Sequence, residues 1–577
     1  MVCMVRSGSW LSILAVSGIL LTLACGGEKS DTATPAPSSG PIVNSAGVQL
    51  PPDAAPLEEQ LMSYFIEEPK NLDVSMDNYG VKGADPWLFE RLVMFDPDDI
   101  ASPGAAERWE PSADGRIWTF HLRKDAKWSD GHPVTAHDFE FTFKRFLDPA
   151  EGNVFAFLFY DIKNARAFNH GEIKDRNAVG VKAIDDLTLQ VEAEGPCPYL
   201  PFVLAYNSAA PVPSWQVEKY GRRWTEPGNM VSNYGYKLTE WVHDKHILYD
   251  LNPYYNGRYK GRLEKIKLKF ILEGAYPGVA PYENNEVDLQ ANVSTTDLNL
   301  IEQNPKLNSE LRSNPHFQTW YLFFQTAKPP FNDVRVRQAI SRAIDRDQIC
   351  KVVLKGHGTP AYTMLPPGFP GYTGDQLKTI QNYDLEQARK LLADAGYPGG
   401  KKFPKFQFWL RQADPNQMAI ALAVQQMLKE NLGLETEIRN QEIGVYMDHM
   451  YKYDIPFGLI PYQYDYPDPH NMLSQVWHSQ PAGHGRHDWK NNVFDQQVDL
   501  GGTTIDQAQR MTHYAQAERA LVEDVGGVFI YHTHVLELRK PWVKGLNKNA
   551  FGSDMFWGNR SSIMGMYIGN NVGKRVK

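Results

Sequence analysis

The stretch that decides the fold joins a strand pattern to a helix pattern through a tight turn. It consists of Trp118-Thr119-Phe120-His121-Leu122-Arg123, then Ala126-Lys127-Trp128-Ser129-Asp130-Gly131, then Pro133-Val134-Thr135-Ala136-His137-Asp138-Phe139. Ser129-Asp130-Gly131 is typical of a tight turn. Thr135 is placed to cap a helix over residues 134–146, with Asp138 three residues on and phenylalanines along one face. We therefore interpret the stretch as structural rather than ligand-contacting.

Working outward, helix and strand patterns alternate along the chain. Helices are predicted to begin at Asp333 and Asp384, and another to cover residues 417–431 and close at Gly433 before a strand at 434–438. Period-two alternation predicts strands at 190–193 and 247–251. Helix, glycine and strand in short succession indicate an α/β fold. Antiparallel elements are expected around residues 118–122 and 236–251.

Composition excludes several classes of protein. The chain has 577 residues, of which 42% are hydrophobic and 22% charged, as in globular proteins of several domains. A net charge of -9 argues against nucleic-acid binding. With 4 cysteines it is not a disulfide scaffold. Cys197 and Cys350 are predicted to be small buried hydrophobic residues that do not pair.

The N-terminus predicts export. Arg6 precedes an apolar run over residues 10–24, which is short for a membrane span and typical of a signal peptide. The region that ends in Cys25 resembles a bacterial lipobox, although Thr22 stands where leucine is usual. We expect a signal peptide over 1–24, lipidation of Cys25, and a flexible tether over 25–56. The alternative is a plain secretory signal with a chance cysteine.

No catalytic constellation is found in the sequence. It contains no HExxH, P-loop, GxGxxG or GxSxG motif. His478, His484 and His487 lie in a glycine-rich stretch without metal-binding spacing, and a surface loop is predicted there. Asp98-Asp99 and Asp185-Asp186 are interpreted as solvated turns. The sequence therefore predicts neither an enzyme nor a bound metal or cofactor.

Motifs throughout the chain resemble those of one family. They begin at Pro103 to Trp109 and the opening stretch, and continue at Asp148-Pro149, Pro211-Val212-Pro213-Ser214, Asn252-Pro253-Tyr254-Tyr255, Pro330 to Ala339, Asp465-Tyr466-Pro467-Asp468-Pro469, Phe494-Asp495 and Lys540-Pro541-Trp542. In this order they resemble the family 5 extracellular solute-binding proteins, which include the oligopeptide- and dipeptide-binding proteins of bacterial ABC importers. The resemblance covers nearly everything after the tether.

The resemblance implies a periplasmic-binding-protein-like α/β fold with two main lobes that close on ligand and an extra lobe. Lobe I would be discontinuous, comprising residues 48–90, 215–319 and 530–577. Lobe II, the extra lobe, would comprise 91–214, and lobe III 320–529. The ligand would lie between lobes I and III, which close by a hinge.

The resemblance also implies ligand-binding residues. Asp465 matches the family aspartate that anchors the α-amino group of a peptide; the alternative is an aspartate that caps a turn beside Pro467. Tyr462, Gln463 and Tyr464 stand where the oligopeptide-binding relatives have Trp-Cys-Ala, after a two-residue insertion around Pro461. Further ligand-facing residues are implied at two places. Asn78, Tyr79 and Gly80 match the family's ligand-facing loop of the first lobe by their register from Leu72-Asp73, and Asn233 and Tyr234 lie in the family's central segment.

The predicted function is that of a substrate-binding lipoprotein that captures extended short peptides and delivers them to the permease subunits of an ABC importer. It would be a monomer, anchored in a membrane and facing the periplasm or the cell exterior. Aromatic residues make up 12% of the chain, and the tyrosine clusters suit a cleft for varied ligands, although domain packing explains many of them. An oligosaccharide or another small solute is the alternative ligand. A surface hydrolase and an adhesive or signalling lipoprotein are the other classes considered.

Overall fold

The computed structural model describes residues 40–76, 85–272, 275–481, 485–556 and 561–576. The predicted signal peptide, Cys25, Asn78, Tyr79, Gly80 and His484 lie outside the described residues. Among the described residues, no helix combines the length and the apolar composition that a membrane crossing requires.

The predicted tether extends too far. The side chain of Asn44 is 4% exposed and its amide donates to the Gly261 carbonyl at 2.9 Å. Val43 forms a bridge with Gln49, and the Ala55 amide donates to the Ile568 carbonyl at 2.8 Å. Residues 42–56 are therefore packed on the folded chain. Their partners are distant in the sequence, so the sequence alone does not reveal this packing.

Nineteen strands are present in the described residues. In chain order they are β1 (Leu61–Glu67), β2 (Val93–Phe95), β3 (Ala101–Pro103), β4 (Ala106–Pro111), β5 (Ile117–Leu122), β6 (Val181–Asp185), β7 (Thr188–Glu192), β8 (Tyr236–Val242), β9 (His246–Leu251), β10 (Lys265–Ile271), β11 (Leu289–Gln290), β12 (Leu311–Phe324), β13 (Gly358–Pro360), β14 (Phe406–Arg411), β15 (Thr436–Gln441), β16 (Phe457–Gln463), β17 (Gly527–Arg539), β18 (Val543–Lys544) and β19 (Tyr567–Ile568).

Sixteen α-helices are present in the described residues. They are α1 (Ala136–Phe146), α2 (Ala165–Asn169), α3 (Leu200–Val203), α4 (Ser214–Tyr220), α5 (Ala280–Glu283), α6 (Leu298–Gln303), α7 (Pro305–Glu310), α8 (Val334–Arg342), α9 (Arg346–Gln348), α10 (Gly374–Leu377), α11 (Leu385–Asp394), α12 (Pro415–Leu432), α13 (Ile443–Tyr451), α14 (Gln475–Trp477), α15 (Asn492–Thr503) and α16 (Gln507–Glu523). Single turns of 3-10 helix connect many of them.

One 11-stranded mixed sheet spans the molecule in the order β15-β14-β16-β12-β17-β11-β1-β10-β9-β8, with β13 paired to β17. Its two central strands, β12 and β17, are also its longest, and they pair with each other in antiparallel fashion. On one side they continue into β16, β14 and β15, and on the other into β11, β1 and β10. The two halves of the sheet are therefore joined through β12 and β17.

The β12–β17 ladder is interrupted at its middle. Residues from Leu311 to Pro315 pair with the stretch from Leu538 to His534, and pairing resumes at Thr319 opposite His532. Such an irregularity weakens the ladder locally and bends it. The predicted lobe boundary at 319/320 falls at this break, which is a suitable place for a hinge, and the division into three lobes stays a prediction.

A separate four-stranded antiparallel sheet, β4-β5-β7-β6, is covered by α1. The start of α1 is the predicted capping box, in which the Thr135 amide donates to the Asp138 carboxylate at 2.8 Å. Phe139, Phe143 and Phe146 are fully buried. The turn before the helix is also as predicted, since Gly131 has a φ of 93° and its amide donates to the Trp128 carbonyl.

The other predicted helices are confirmed. Asp333 caps α8 and Asp384 caps α11, each through a carboxylate that accepts a backbone amide. Gly433, with a φ of 71°, ends α12. The strand predicted at 434–438 is present as β15, displaced toward its C-terminal end. Cys197 and Cys350 are both buried and unpaired, as predicted.

Candidate functional site

The candidate site lies where β16 leaves the central sheet. Near its end, β16 pairs with β12, so that Tyr462 is opposite Thr319 and Gln463 opposite Gln318, beside the break in the β12–β17 ladder. The chain then turns sharply through the segment from Tyr464 to Pro469. The Asp465 amide donates to Asn471 Oδ1 at 2.8 Å, which fixes the loop and directs the Asp465 carboxylate.

The Asp465 carboxylate is held by neutral donors. Its Oδ2 accepts from the Tyr462 hydroxyl at 2.7 Å and from Asn471 Nδ2 at 3.1 Å. Among the described residues no cation lies within ion-pair distance of it, and no donor is bonded to Oδ1. Burial raises the pKa of Asp465, against the lowering effects of the two hydrogen bonds and of the charge of Arg486. A half-buried carboxylate with one oxygen that accepts no described hydrogen bond is suited to a cationic ligand group.

Arg486 is a second charged group at this site. Its guanidinium carbon lies 4.7 Å from the centroid of the Tyr462 ring, over the ring face. Asp465 accepts from the hydroxyl of the same ring. A cation and an anion are thus held around one tyrosine.

The prediction of a surface loop at His487 is wrong. His487 is 5% exposed and its Nε2 lies 3.0 Å from the Tyr321 hydroxyl. Its ring also packs on Phe323 and Trp477. Burial holds the pKa of His487 well below its usual value, so the imidazole is neutral. Glycines around it suggested exposure, but they allow the backbone to approach the core closely. His478 is half-buried and contacts Asp499 at 3.1 Å.

Tyr464 lines a small cavity next to Asp465. Its hydroxyl donates to Asp99 Oδ1 at 3.3 Å and its ring packs edge-on against Phe317. The cavity encloses about 30 Å³, room for water but not for a peptide, and is lined by Asp99, His316, Tyr464, Asn547, Asn549, Ser553 and Asp554 among others. These residues come from all three predicted lobes. A ligand would therefore enter only when the lobes separate.

Asn233 and Tyr234 are buried away from solvent. Asn233 Nδ2 donates to the Glu90 carbonyl at 2.8 Å, and the Glu90 amide donates to Asn233 Oδ1. Tyr234 is fully buried with its ring edge-on to Tyr255. No described contact joins either side chain to Asp465, because both are used to pack lobe I. Their assignment to ligand binding stays a prediction, as does that of Gln463, which is exposed near His316.

Most of the clustered tyrosines serve packing. Tyr255 donates to Glu90 at 2.6 Å, Tyr446 to the Leu459 carbonyl at 3.2 Å, and the Tyr466 hydroxyl lies 2.9 Å from His470 Nδ1. All three are buried. Of the described tyrosines in these clusters, Tyr462 bonds to the Asp465 carboxylate, and Tyr464 is the residue before Asp465 in the loop.

Contacts between distant segments surround the site. The turn at Asp98-Asp99 is not simply solvated, because Asp98 accepts from the Ala550 amide at 2.7 Å and Asp99 from Tyr464. Asp185-Asp186 is an exposed turn, as predicted.

Behind the Asp465 loop, both carboxylate oxygens of Asp468 accept from the Arg510 guanidinium, at 2.6 Å for the Nη1–Oδ2 bond. This buried pair braces the loop from the far side.

Several residues of the site were not found from the sequence. Asn471, Arg486, Asp99 and His316 reach it from different strands and loops, and no local motif marks them. Only Asn471 offered a signal, because it lies two residues after the recognised block that ends at Pro469. In the part of the chain that the structure describes, no group of three or more acidic, histidine or cysteine side chains could hold a metal ion.

The long strands β12 and β17 divide the sheet into two halves, and the half-buried Asp465 carboxylate lies beside the break in their ladder. The model of the middle region of the bacterial extracellular solute-binding proteins, family 5, matches residues 101–484. The chain belongs to this family, and it is accordingly a binding protein and not an enzyme. The family resemblance found in the sequence is confirmed.

Similar proteins include peptide receptors. The chain is 35% identical over 463 residues to the periplasmic oligopeptide-binding protein OppA of Salmonella typhimurium, covering 79% of this chain and 84% of that protein. It is 33% identical to a probable deoxycholate-binding periplasmic protein, YgiS, of Escherichia coli, covering 79% of this chain and 84% of that protein. The solved structure of the Escherichia coli murein tripeptide-binding protein MppA matches with a TM-score of 0.72 and 29% identity, covering 90% of this chain and all of that one.

Proposed function

We propose that the protein is the peptide-binding receptor of an ABC importer, and that it holds a short extended peptide between lobes I and III with the peptide α-ammonium on Asp465. The observation that carries the proposal is the half-buried Asp465 carboxylate, whose Oδ2 is satisfied by neutral groups and whose Oδ1 has no described donor. An ammonium would supply both the missing charge and the missing hydrogen bonds.

The relatives support a peptide as ligand. One is an oligopeptide-binding protein and another binds a murein tripeptide. An extended peptide would gain affinity from its backbone and its charged ends, which does not depend on the identity of its side chains. Closing of the lobes would exclude water and strengthen the interaction of the ammonium with Asp465.

The experiment that tests the ligand class is native mass spectrometry of the purified protein, with gentle release of whatever has co-purified. A ladder of adducts that fragment as peptides would support the proposal and would give the ligand length. A single sugar, bile-acid or metal-complex mass would keep the transport role and overturn the peptide. So would a clean unliganded peak that ignores an added pool of peptides.

A second candidate is transport of another small solute. The observation that favours it is the relative named for deoxycholate binding, which is 33% identical to this chain and so almost as similar as the oligopeptide-binding one. A carboxylate such as Asp465 would be a poor partner for an anionic solute, because like charges repel. Calorimetric titration with deoxycholate and with a mixed peptide pool separates the two candidates.

We also propose that Cys25 carries a lipid that anchors the protein at a membrane, facing the periplasm or the cell exterior, where a monomer would deliver ligand to permease subunits. Metabolic labelling with palmitate tests the anchor: label should enter the wild-type protein and not a Cys25→Ser variant. Equal labelling, or a soluble wild-type protein, would leave a plain secretory signal. Light scattering would test the monomer, and co-purification with the permease would test delivery.

A further inference from the structure

The feature that carries a further inference is Arg486, a half-buried cation that forms no ion pair with a described carboxylate. Its Nη1 is buried, yet among the described residues it donates to no acceptor. No carboxylate in that part of the protein lies within ion-pair distance of the guanidinium. A charged donor that is buried without a partner is costly. The arrangement is therefore suited to an anion that comes from elsewhere.

The surroundings fix where that anion would lie. The guanidinium covers the face of the Tyr462 ring at 4.7 Å, and the hydroxyl of that ring donates to Asp465 at 2.7 Å. Arg486 and Asp465 are thus one aromatic ring apart but do not form an ion pair with each other. The site presents a cation and an anion side by side, each short of a partner of opposite charge.

The backbone at Gly485, directly before Arg486, lies close to Tyr453 and Gln480. A Cβ atom on Gly485 would lie 2.6 Å from the Tyr453 hydroxyl and 2.7 Å from Gln480 Cβ, so a side chain there would clash. The Tyr453 hydroxyl in turn donates to the Gln480 carbonyl at 3.1 Å, which fixes Tyr453 and Gln480 relative to each other. Gly485 therefore lets the chain pass near Tyr453 and places Arg486 over Tyr462.

We propose that Arg486 binds a carboxylate of the ligand and so makes the receptor selective for peptides with a carboxylate close to their amino terminus. This inference rests on the proposed function, in which Asp465 holds the α-ammonium. Since an extended chain advances about 3.3–3.6 Å per residue, a carboxylate one ring away from the ammonium belongs to one of the first two or three residues. The guanidinium fork matches a carboxylate with two parallel hydrogen bonds.

Two kinds of peptide carry this chemistry. In a dipeptide or tripeptide it is the C-terminal carboxylate, and in a longer peptide it is an acidic side chain near the amino terminus. The first pair of probes is trialanine and its C-terminal amide. The second pair is Ala-Glu-Ala-Ala-Ala amide and Ala-Gln-Ala-Ala-Ala amide, which differ in one charge only.

The test is calorimetric titration of the exported protein, stripped of co-purified ligand, with both pairs of peptides. In the wild type, the carboxylate member of at least one pair should bind more tightly than its neutral partner. Arg486→Gln should weaken that member about 10- to 100-fold and leave the neutral partner nearly unchanged. Arg486→Lys, which keeps the charge without the fork, should restore part of the difference.

Arg439→Gln is the matched control. The Arg439 guanidinium also stacks on an aromatic ring, 4.5 Å from Trp409, but it is exposed and donates to Gln407. This variant should bind all four peptides as the wild type does. Equal losses for charged and neutral peptides in Arg486→Gln, or no loss in either pair, would overturn the inference while leaving a peptide receptor. Failure of the wild type to bind any of the peptides would overturn the proposed function together with the inference.

Discussion

The ring of Tyr199 lies flat against the imidazole of His470, with 3.8 Å between ring centroids and 17° between ring planes. The Tyr199 hydroxyl donates to Asp161 at 2.8 Å. Tyr199 and Asp161 belong to predicted lobe II, whereas His470 follows the Asp465 loop in predicted lobe III. One tyrosine thus joins the extra lobe to the candidate ligand loop.

Two variants of Tyr199 separate its roles. Tyr199→Phe keeps the stack and removes the hydrogen bond to Asp161, and we expect it to lower the free energy of unfolding by about 1–3 kcal/mol. Tyr199→Ala also leaves a cavity beside His470, and we expect a loss of about 3–5 kcal/mol. Urea unfolding measures both. Equal losses would mean that the stack contributes nothing.

Asp465 should dominate peptide affinity. Removing it by Asp465→Ala would leave the ligand ammonium buried without a counter-ion, and we expect binding to weaken by about 3–5 kcal/mol. Calorimetry with a peptide that the wild type binds gives this number. Asp454→Ala is the control, since Asp454 is an exposed carboxylate in the same predicted lobe, bonded to His449. Unchanged affinity in Asp465→Ala would remove Asp465 from the site.

Peptide binding should also depend on pH through Asp465. Only the ionised carboxylate attracts an ammonium, and the peptide α-amino group is an ammonium only below its own pKa of about 7.7–8.0. Affinity should therefore be full in the window between the two pKa values, and it is lost as pH falls through the pKa of Asp465 in the free protein. Burial raises that pKa. The loss should therefore begin at a higher pH than for an ordinary aspartate, whose pKa is about 3.9. An N-acetylated peptide, which has no ammonium, should not share this slope; if it does, the slope has another origin.

Glu518 should make the stability of the protein depend on pH. It accepts from the Leu365 amide at 2.8 Å and from Thr373 at 2.9 Å, and burial raises its pKa from 4.5 to about 7. The native state holds this proton more tightly than the unfolded chain does. Its contribution to stability is therefore complete below about pH 4.5, and it is lost as pH rises to about 7.

Urea unfolding between pH 5 and pH 8, given as the free energy of unfolding, measures this slope. Glu518→Gln should flatten it, because a glutamine has no proton to lose. Glu523→Gln, an exposed change on the same helix, should keep the wild-type slope. A slope that survives in Glu518→Gln would have to come from other groups.

The buried pair of Asp468 and Arg510 should be needed for folding of the loop that carries Asp465. Asp468→Asn leaves the Arg510 charge without a partner, and we expect the free energy of unfolding to fall by about 3–5 kcal/mol. The exposed pair of Asp448 and Lys452 has an equally short separation of 2.6 Å, yet Asp448→Asn should cost no more than about 1 kcal/mol. Similar losses in the two variants would contradict this account.

Local patterns in the sequence predicted the regular elements well. The Thr135–Asp138 capping box and the Gly433 helix end are present because both depend on neighbours within a few residues. The ordered family motifs predicted the class of protein. Asp465 was found through one of those motifs, but the motif did not reveal that its carboxylate is half-buried and hydrogen-bonded to Tyr462.

What the sequence did not predict depends on distant contacts. Arg486 lies over Tyr462 of β16 and His487 contacts Tyr321 of β12, and no local pattern records that these distant segments converge. The packing of Asn44 on Gly261 joins positions more than two hundred residues apart. Polar, small residues there are compatible with either a free or a packed segment, so composition alone favoured the wrong one.

The shared strands β12 and β17 have a consequence for how the protein fails. One half of the sheet ends at β12 and the other half ends at β17, and these two strands are hydrogen-bonded to each other. If one half unfolds, the end strand of the other half therefore loses its hydrogen-bonded neighbour. The bare strand edge that results is a template for aggregation. The two halves should therefore survive or be lost together, as one cooperative unit, although the proposed function requires them to move against each other. The interrupted pairing near Pro315 and the pairing along the rest of the ladder belong to the same two strands.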